Sequence, residues 1–165
     1  MKTLLLLRHG KSSWKESALA DHDRPLKKRG QRAAEQIGRL LEEQGLTPDH
    51  ILTSTAIRAR DTASLVAETL KFRGTIDEVS ALYQAEPQTF VAVVSHVPKQ
   101  SDAVLVVGHN PGLEDWLSRL TGYQEPFPTA ALAHIVLPIE NWLDLTPDTR
   151  GELRKVWSPK ELADD

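Results

Sequence analysis

The sequence predicts a single α/β domain of three layers, α/β/α, around a largely parallel central sheet. Three observations carry that expectation. Short continuous apolar runs at residues 4–7 and 103–107 read as strands buried on both faces, and amphipathic segments of helical period separate the strands. The length, 165 residues, suffices for one core and one site but not for two large domains.

The elements follow in order. The first strand, residues 4–7, ends at Arg8, His9 and Gly10, polar groups at the edge of a buried sheet. Residues 11–26 keep no period and contain DHDRPL, so they read as a loop beside a site or on the surface. From about Pro25 or Gly30 to Glu43, the spacing of Ala33, Ala34, Ile37, Leu40 and Leu41 predicts a helix, with Gly45 placed to end it. Ile51 and Leu52 mark a short strand. Ala59, Ala63, Val66, Ala67 and Leu70 form one face of the next helix, with Ser54 or Thr55 as N-cap and Arg58 in its first turn. A mixed connection over 74–86 holds a short strand at 76–79. For residues 90–97, β-branched content favours a strand but position in the α/β alternation favours a helix, and we weight the topology. The strand at 103–107 opens through Gly108 to His109. Leu113, Trp116, Leu117 and Leu120 then give a helix ending near Gly122, before strands at 131–137 and 150–156. No repeat or linker interrupts this plan. We expect one domain over 1–157 and a short tail over 158–165.

Composition narrows the function classes. Twenty basic against 23 acidic residues argue against a general nucleic-acid binder, although 14 of the basic groups fall in the first 80 residues. Without cysteine the chain has no disulfide, thiol nucleophile or thiolate-held metal. No apolar run approaches a membrane span or an export signal, so no membrane partner and a cytoplasmic location are the expectations.

Two histidines, His9 and His109, each follow a buried strand, and the α/β plan can bring two such strand ends together. A neutral imidazole nitrogen can accept a phosphoryl group, and guanidinium groups can neutralise the oxygens, which gives Arg8 its interest. Arg58, at a helix N-terminus, and Arg24, in the loop, can complete an oxyanion pocket. Zinc would need a further ligand such as Asp21, His22 or Asp23, but no compact ligand spacing is present, so no metal and no cofactor are expected. Trp14 either lines the pocket or anchors its loop. Asn110 either donates into the pocket or shapes, with Pro111, the connection presenting His109. Trp116 reads as core, Trp142 and Trp157 as surface or packing groups, and His50, His96 and His134 stand outside any constellation.

Taken together, LLLLRHGKSSW, DHDRPLKKRG, ILTSTAIRARDTA, LYQAEPQTF, VLVVGHNPGLEDWL and FPTAALAHIVLP resemble, in order, the histidine phosphatase or phosphoglycerate-mutase-like superfamily, and within it the SixA-type phosphohistidine phosphatases. The resemblance spans about residues 1–157. It implies a phosphoglycerate-mutase-like fold and metal-independent chemistry. It also implies a phosphohistidine formed on His9, with Arg8, Arg24, Arg58 and His109 around the phosphate and His109 as a donor or imidazolium; beside these, Gly10, Trp14 and Asn110 are the candidates for shaping the pocket. One departure matters. Mutase-like relatives carry a carboxylic acid after the second helix to protonate the leaving oxygen, whereas Ala81-Leu82-Tyr83-Gln84 has none, and Glu78 and Glu86 are imperfect substitutes. A phosphohistidine-containing protein is therefore the preferred substrate. A small phosphomonoester, and a non-catalytic phosphate- or phosphohistidine-binding module, are the alternatives.

Overall fold

The computed structural model describes residues 1–159, and most of the expected tail lies outside them. Six strands form one sheet in the order β3-β2-β4-β1-β5-β6. They are β1 (Lys2–Arg8), β2 (His50–Thr53), β3 (Thr75–Glu78), β4 (Ala103–Gly108), β5 (Leu132–Leu137) and β6 (Glu152–Trp157). Among the described residues, four α-helices lie against the sheet: α1 (Lys28–Glu43), α2 (Ile57–Leu70), α3 (Pro87–Val94) and α4 (Gly112–Thr121).

The leucine run of β1 explains the layering. Alternate side chains point to opposite faces, so Leu4 and Leu6 join Phe90, Trp116 and Trp142 on the α3/α4 side, while Leu5 and Leu7 join Ile37, Leu41 and Val66 on the α1/α2 side. All four leucines are fully buried, each worth roughly 1.5–3 kcal/mol of hydrophobic stabilisation. β4 repeats the device, with Val104 and Val106 on one face and Leu105 and Val107 on the other. A strand hydrophobic on both faces can sit only in the middle of a covered sheet.

β3, β2, β4 and β1 are mutually parallel, whereas β5 runs antiparallel to β1, and β6 antiparallel to β5. The reversal has a local cause. After α4 the chain returns past the end of β1, where Ala130 N–H donates to the carbonyls of Arg8 and His9, so β5 must run back down the sheet. Of residues 90–97, the first five resolve in favour of helix: α3 starts earlier, with Pro87 in its first turn, where a missing N–H costs nothing, and ends at Val94, before a turn over 95–97. Gly45 and Gly122, both at positive φ, follow α1 and α4 as expected. The second helix starts later than expected. Its N-cap is Ala56 rather than Ser54 or Thr55, because those hydroxyls serve other partners. Trp142 and Trp157 are both core residues.

Gly30, in the first turn of α1, packs backbone against backbone: a Cβ there would lie 2.3 Å from the Lys11 carbonyl oxygen, and one on Gly10 would lie 2.7 Å from that of Gly30. Alanine in place of a helical glycine ordinarily stabilises by up to about 1 kcal/mol. Gly30→Ala should instead destabilise, on the order of 1–3 kcal/mol as for overpacking, seen as a lower urea midpoint at unchanged slope. A stabilised variant would show that this contact does not fix the chain after His9.

Candidate active site

The parallel pairing of β1 with β4 sets Arg8 beside Gly108, so His9 and His109 leave neighbouring strands side by side. Their ring centroids are 5.1 Å apart, and the His9 N–H donates to the Gly108 carbonyl at 3.1 Å. His9 Nδ1 lies 2.7 Å from the Gly10 carbonyl oxygen, which can only accept, so Nδ1 carries the proton and Nε2 keeps its lone pair. Thr62 Oγ1 accepts the Gly10 N–H and itself donates to the Arg58 carbonyl one helical turn earlier, which ties the segment after His9 to α2.

His109 Nε2 lies 2.8 Å from Ser54 Oγ, which also accepts the Ala56 N–H. Ser54 is fully buried, and His109 Nε2 is the acceptor within its reach. The hydroxyl therefore donates to Nε2, and the His109 ring proton resides on Nδ1. That atom and Arg8 Nε are the two buried side-chain polar atoms without a partner among the described residues. Both are donors, and both lie at the ends of β1 and β4.

His9, His109, Arg24 and Arg58 are each only 6 or 7% exposed, a heavy concentration of ionisable groups to exclude from water. Burial above all pushes the His9 pKa down to about 4; the hydrogen bond to the Gly10 carbonyl opposes it, and the positive charges of Arg58, Arg8 and Arg24 add to the depression. Burial, His9 and Arg58 push His109 down to about 3. Both rings are therefore neutral near pH 7, and His109 is an imidazole donor rather than the imidazolium allowed by the sequence.

Arg24 and Arg58 converge, but on an internal partner. Asp21 accepts from Arg24 Nη1 at 2.8 Å through Oδ1 and from Arg58 Nη2 at 2.9 Å through Oδ2. Tyr83 OH donates to the same Oδ2 at 2.6 Å. The Tyr83 bond first, and then those from the two arginines, hold the Asp21 carboxyl well below the usual carboxylate range. The sequence considered Asp21 only as a metal ligand; its i,i+3 spacing from Arg24 was the available signal for an ion pair. Tyr83 stands in the segment that lacks a carboxylic acid, with its ring edge-on to both His22 and His109. No pattern in the sequence marks Thr62 beyond its place four residues after Arg58.

The remaining expectations resolve individually. Trp14 is largely exposed but lies over the Arg24 guanidinium, 3.2 Å from its ring centroid, so it anchors that arginine. Asn110 shapes its connection: Nδ2 donates to the Phe127 carbonyl and Oδ1 accepts the Glu114 N–H. Glu78 faces Arg60 at the surface, and Glu86 accepts from Gln88 beside α3. Among the described residues no three His, Asp or Glu side chains gather as a metal site, and no helix is long and apolar enough to cross a membrane. His22 bonds Thr55, and His50 bonds Asp77 at the opposite end of β2, in a groove of about 400 Å³.

Comparison with known proteins agrees with this architecture. Residues 4–83 match the histidine phosphatase superfamily, branch 1. An uncharacterised protein of Mycobacterium tuberculosis is 33% identical over 152 residues, 86% of this chain and 92% of that protein. An uncharacterised chloroplastic protein of Arabidopsis thaliana is 34% identical over 130 residues, 73% of this chain but only 60% of the length of that protein. The chain belongs to the histidine phosphatase superfamily, a class of phosphate-handling enzymes built on this sheet. Within that class it falls in the SixA-type branch: the SixA structure of Agrobacterium tumefaciens, assigned as a phosphohistidine phosphatase, superposes with a TM-score of 0.79 at 28% identity, over 96% of this chain and 99% of that one.

The depressed histidine pKa values predict a pH dependence of stability. Between the ordinary value of 6.5 and about 4, the unfolded chain binds protons on these histidines and the folded chain does not. Stability should therefore be full above pH 6.5 and fall as the pH drops toward 4. Urea unfolding across that window, with the imidazole resonances titrated in parallel, checks this. His9→Asn should flatten part of the decline, and a His9 midpoint near 6.5 would contradict it.

Proposed function

We propose that the protein is a metal-independent phosphohistidine phosphatase that transfers the phosphoryl group to its own His9 and then to water. The observation carrying this reading is the His9 Nε2 lone pair, on a ring 5.1 Å from that of His109, at strand ends that also hold two unsatisfied buried donors, Arg8 Nε and His109 Nδ1. A nucleophile adjoining donors that lack an acceptor suits an incoming anion with a transferable phosphorus.

His9 Nε2 attacks phosphorus as the bond to the substrate's ring nitrogen breaks, while its Nδ1–H stays on the Gly10 carbonyl and takes up the developing positive charge. The substrate ring enters with its other nitrogen already protonated, so it departs as neutral imidazole and its positive charge passes to the His9 ring. Water then attacks the phosphorus of phospho-His9, restoring Nε2 and releasing phosphate. Arg8, Arg24, Arg58 and His109 balance charge on the phosphoryl oxygens. Gly10 and Asn110 hold the two histidine-bearing turns, and Trp14 covers Arg24.

The leaving group supports phosphohistidine over an alkyl phosphoester. Asp21, the carboxyl group bonded to both pocket arginines, is held ionised by Tyr83, Arg24 and Arg58 and has no proton to give an alkoxide. Arg58 accordingly serves two partners, Asp21 and the phosphoryl group.

Turnover of a phosphohistidine peptide should persist in EDTA and exceed that of sugar phosphates or nucleotides. A ten-fold advantage for a metabolite phosphate, about 1.4 kcal/mol of transition-state discrimination, would reassign the substrate. His9→Ala should fall to background with no phosphoenzyme on rapid alkaline quench and intact-mass analysis. His109→Ala should keep the nucleophile and lose on the order of 10²- to 10³-fold, as for one oxyanion donor. Stoichiometric phosphate on His109 in the His9→Ala protein would reverse the two roles, and tight phosphate binding without any covalent intermediate would make the protein a binding module.

A further inference from the structure

Two of the three site arginines spend their terminal N–H groups on a residue of their own chain. Arg58 donates from Nη1 to the Asp21 main-chain oxygen at 2.6 Å and from Nη2 to its carboxylate at 2.9 Å, and Arg24 donates from Nη1 to the other carboxylate oxygen at 2.8 Å. The simplest explanation would be that the carboxylate holds the arginines in place. Their other contacts argue against it. Arg24 is also fixed by Nη2 on Ser12 Oγ at 2.5 Å, Nε on the Ser13 carbonyl at 3.2 Å and the Trp14 ring across its face. Arg58 retains the Asp21 main-chain carbonyl whatever the carboxylate does. Both guanidinium groups are nearly buried, whereas the Asp21 side chain is 42% exposed, on a single turn of 3-10 helix over residues 21–23. The anchored partners are the arginines, and the carboxylate is the group free to leave.

We propose that the Asp21 carboxylate is an internal competing anion, which occupies Arg24 and Arg58 in the empty site and is exchanged for the phosphoryl group when ligand enters. The inference rests on the phosphoryl-transfer reading of this site and extends it to product release. A phosphate that must displace a carboxylate is held less tightly than one meeting two unpaired guanidinium groups, because part of its binding free energy is spent breaking existing ion pairs. The released carboxylate keeps its Tyr83 hydrogen bond, so the cost of displacement is limited. Its negative charge also remains beside the site and disfavours retention of the phosphate dianion.

The test is titration of the full-length protein with inorganic phosphate, followed through the His9 and His109 imidazole resonances so that binding is read at the site. Asp21→Asn should bind phosphate on the order of ten-fold more tightly than the wild type, and the phosphate-induced rise in Tm should be larger in the variant. Asp21→Glu, which keeps the charge, should stay near the wild-type affinity. Equal or weaker phosphate binding by Asp21→Asn would overturn the proposal and make Asp21 a positioning residue. So would phosphate binding to neither protein. Should Asp21→Asn not fold, the Asp21 carboxyl ¹³C resonance of the wild type serves instead: it should move with the same phosphate midpoint as the imidazoles, and a stationary resonance would overturn the proposal. These readouts need no turnover. A protein that shows the affinity shift but hydrolyses no phosphohistidine keeps this inference and loses the substrate class, and the converse result separates them equally well.

Discussion

The site depends on the hydrogen-bonded register between β1 and β4. Parallel strands need a crossover connection, and here two rings 100 positions apart in the sequence, His9 and His109, have centroids 5.1 Å apart. The register is pinned by burial on both faces. A slip of one residue would turn Leu4 and Leu6 toward α1 and α2, Leu5 and Leu7 toward α3 and α4, and separate Arg8 from Gly108. β2 extends the same logic: Thr53 pairs with Val107, so Ser54 emerges beside His109 and can fix its tautomer. The core and the chemistry thus share one constraint, since the alternation that packs the leucines also aims the histidines.

Concentrating three arginines and two histidines at the end of a dry sheet carries an electrostatic cost. The protein meets it in two ways. Both imidazoles remain neutral, because protonation would add positive charge to a place already positive and poorly solvated. The Asp21 carboxylate, held by Tyr83, bridges the outer two arginines and offsets part of their charge, while Arg8 experiences the charge of Glu114. The residual imbalance is a pair of buried donors without acceptors, a deficit that an anion corrects.

Most of the fold was legible because strand burial and helical period act locally. The leucine run and AVLVVG announce central strands by composition alone, and α1 announces itself by spacing. The antiparallel direction of β5 was not legible, since it depends on where residues 122–131 pass and no local pattern encodes that path. Trp142 was ambiguous for a related reason: its burial depends on a distant carbonyl, that of Ser101, which accepts its indole N–H. In the site, Arg8, His9 and His109 were visible at strand ends, and Arg58 and Arg24 by their places in a first helical turn and a loop, a grouping that family resemblance strengthened. Asp21, Ser54, Thr62 and Tyr83 were not, because each works through a partner from another segment. The charge state of His109, donor or imidazolium, stayed open for the same reason: a ring's protonation follows its burial and its neighbours, and sequence gives neither.

The segment that breaks the superfamily pattern bears most on substrate choice. Where a carboxylic acid would stand, Tyr83 supplies a phenol whose pKa is raised by its bond to Asp21, then by burial. A group that holds its proton so firmly, on a carboxylate that has none to give, makes a poor pair for protonating a departing alkoxide. Under the proposed reading, selectivity then follows from what the site cannot do. Substrates whose leaving group is already an acceptable neutral base, as the imidazole of phosphohistidine is, lose little from the missing acid, whereas sugar phosphates lose the step on which their hydrolysis depends. The same Tyr83–Asp21 pair that withholds a proton also occupies the arginines, so discrimination by leaving group and moderation of phosphate affinity arise from a single hydrogen-bonded cluster.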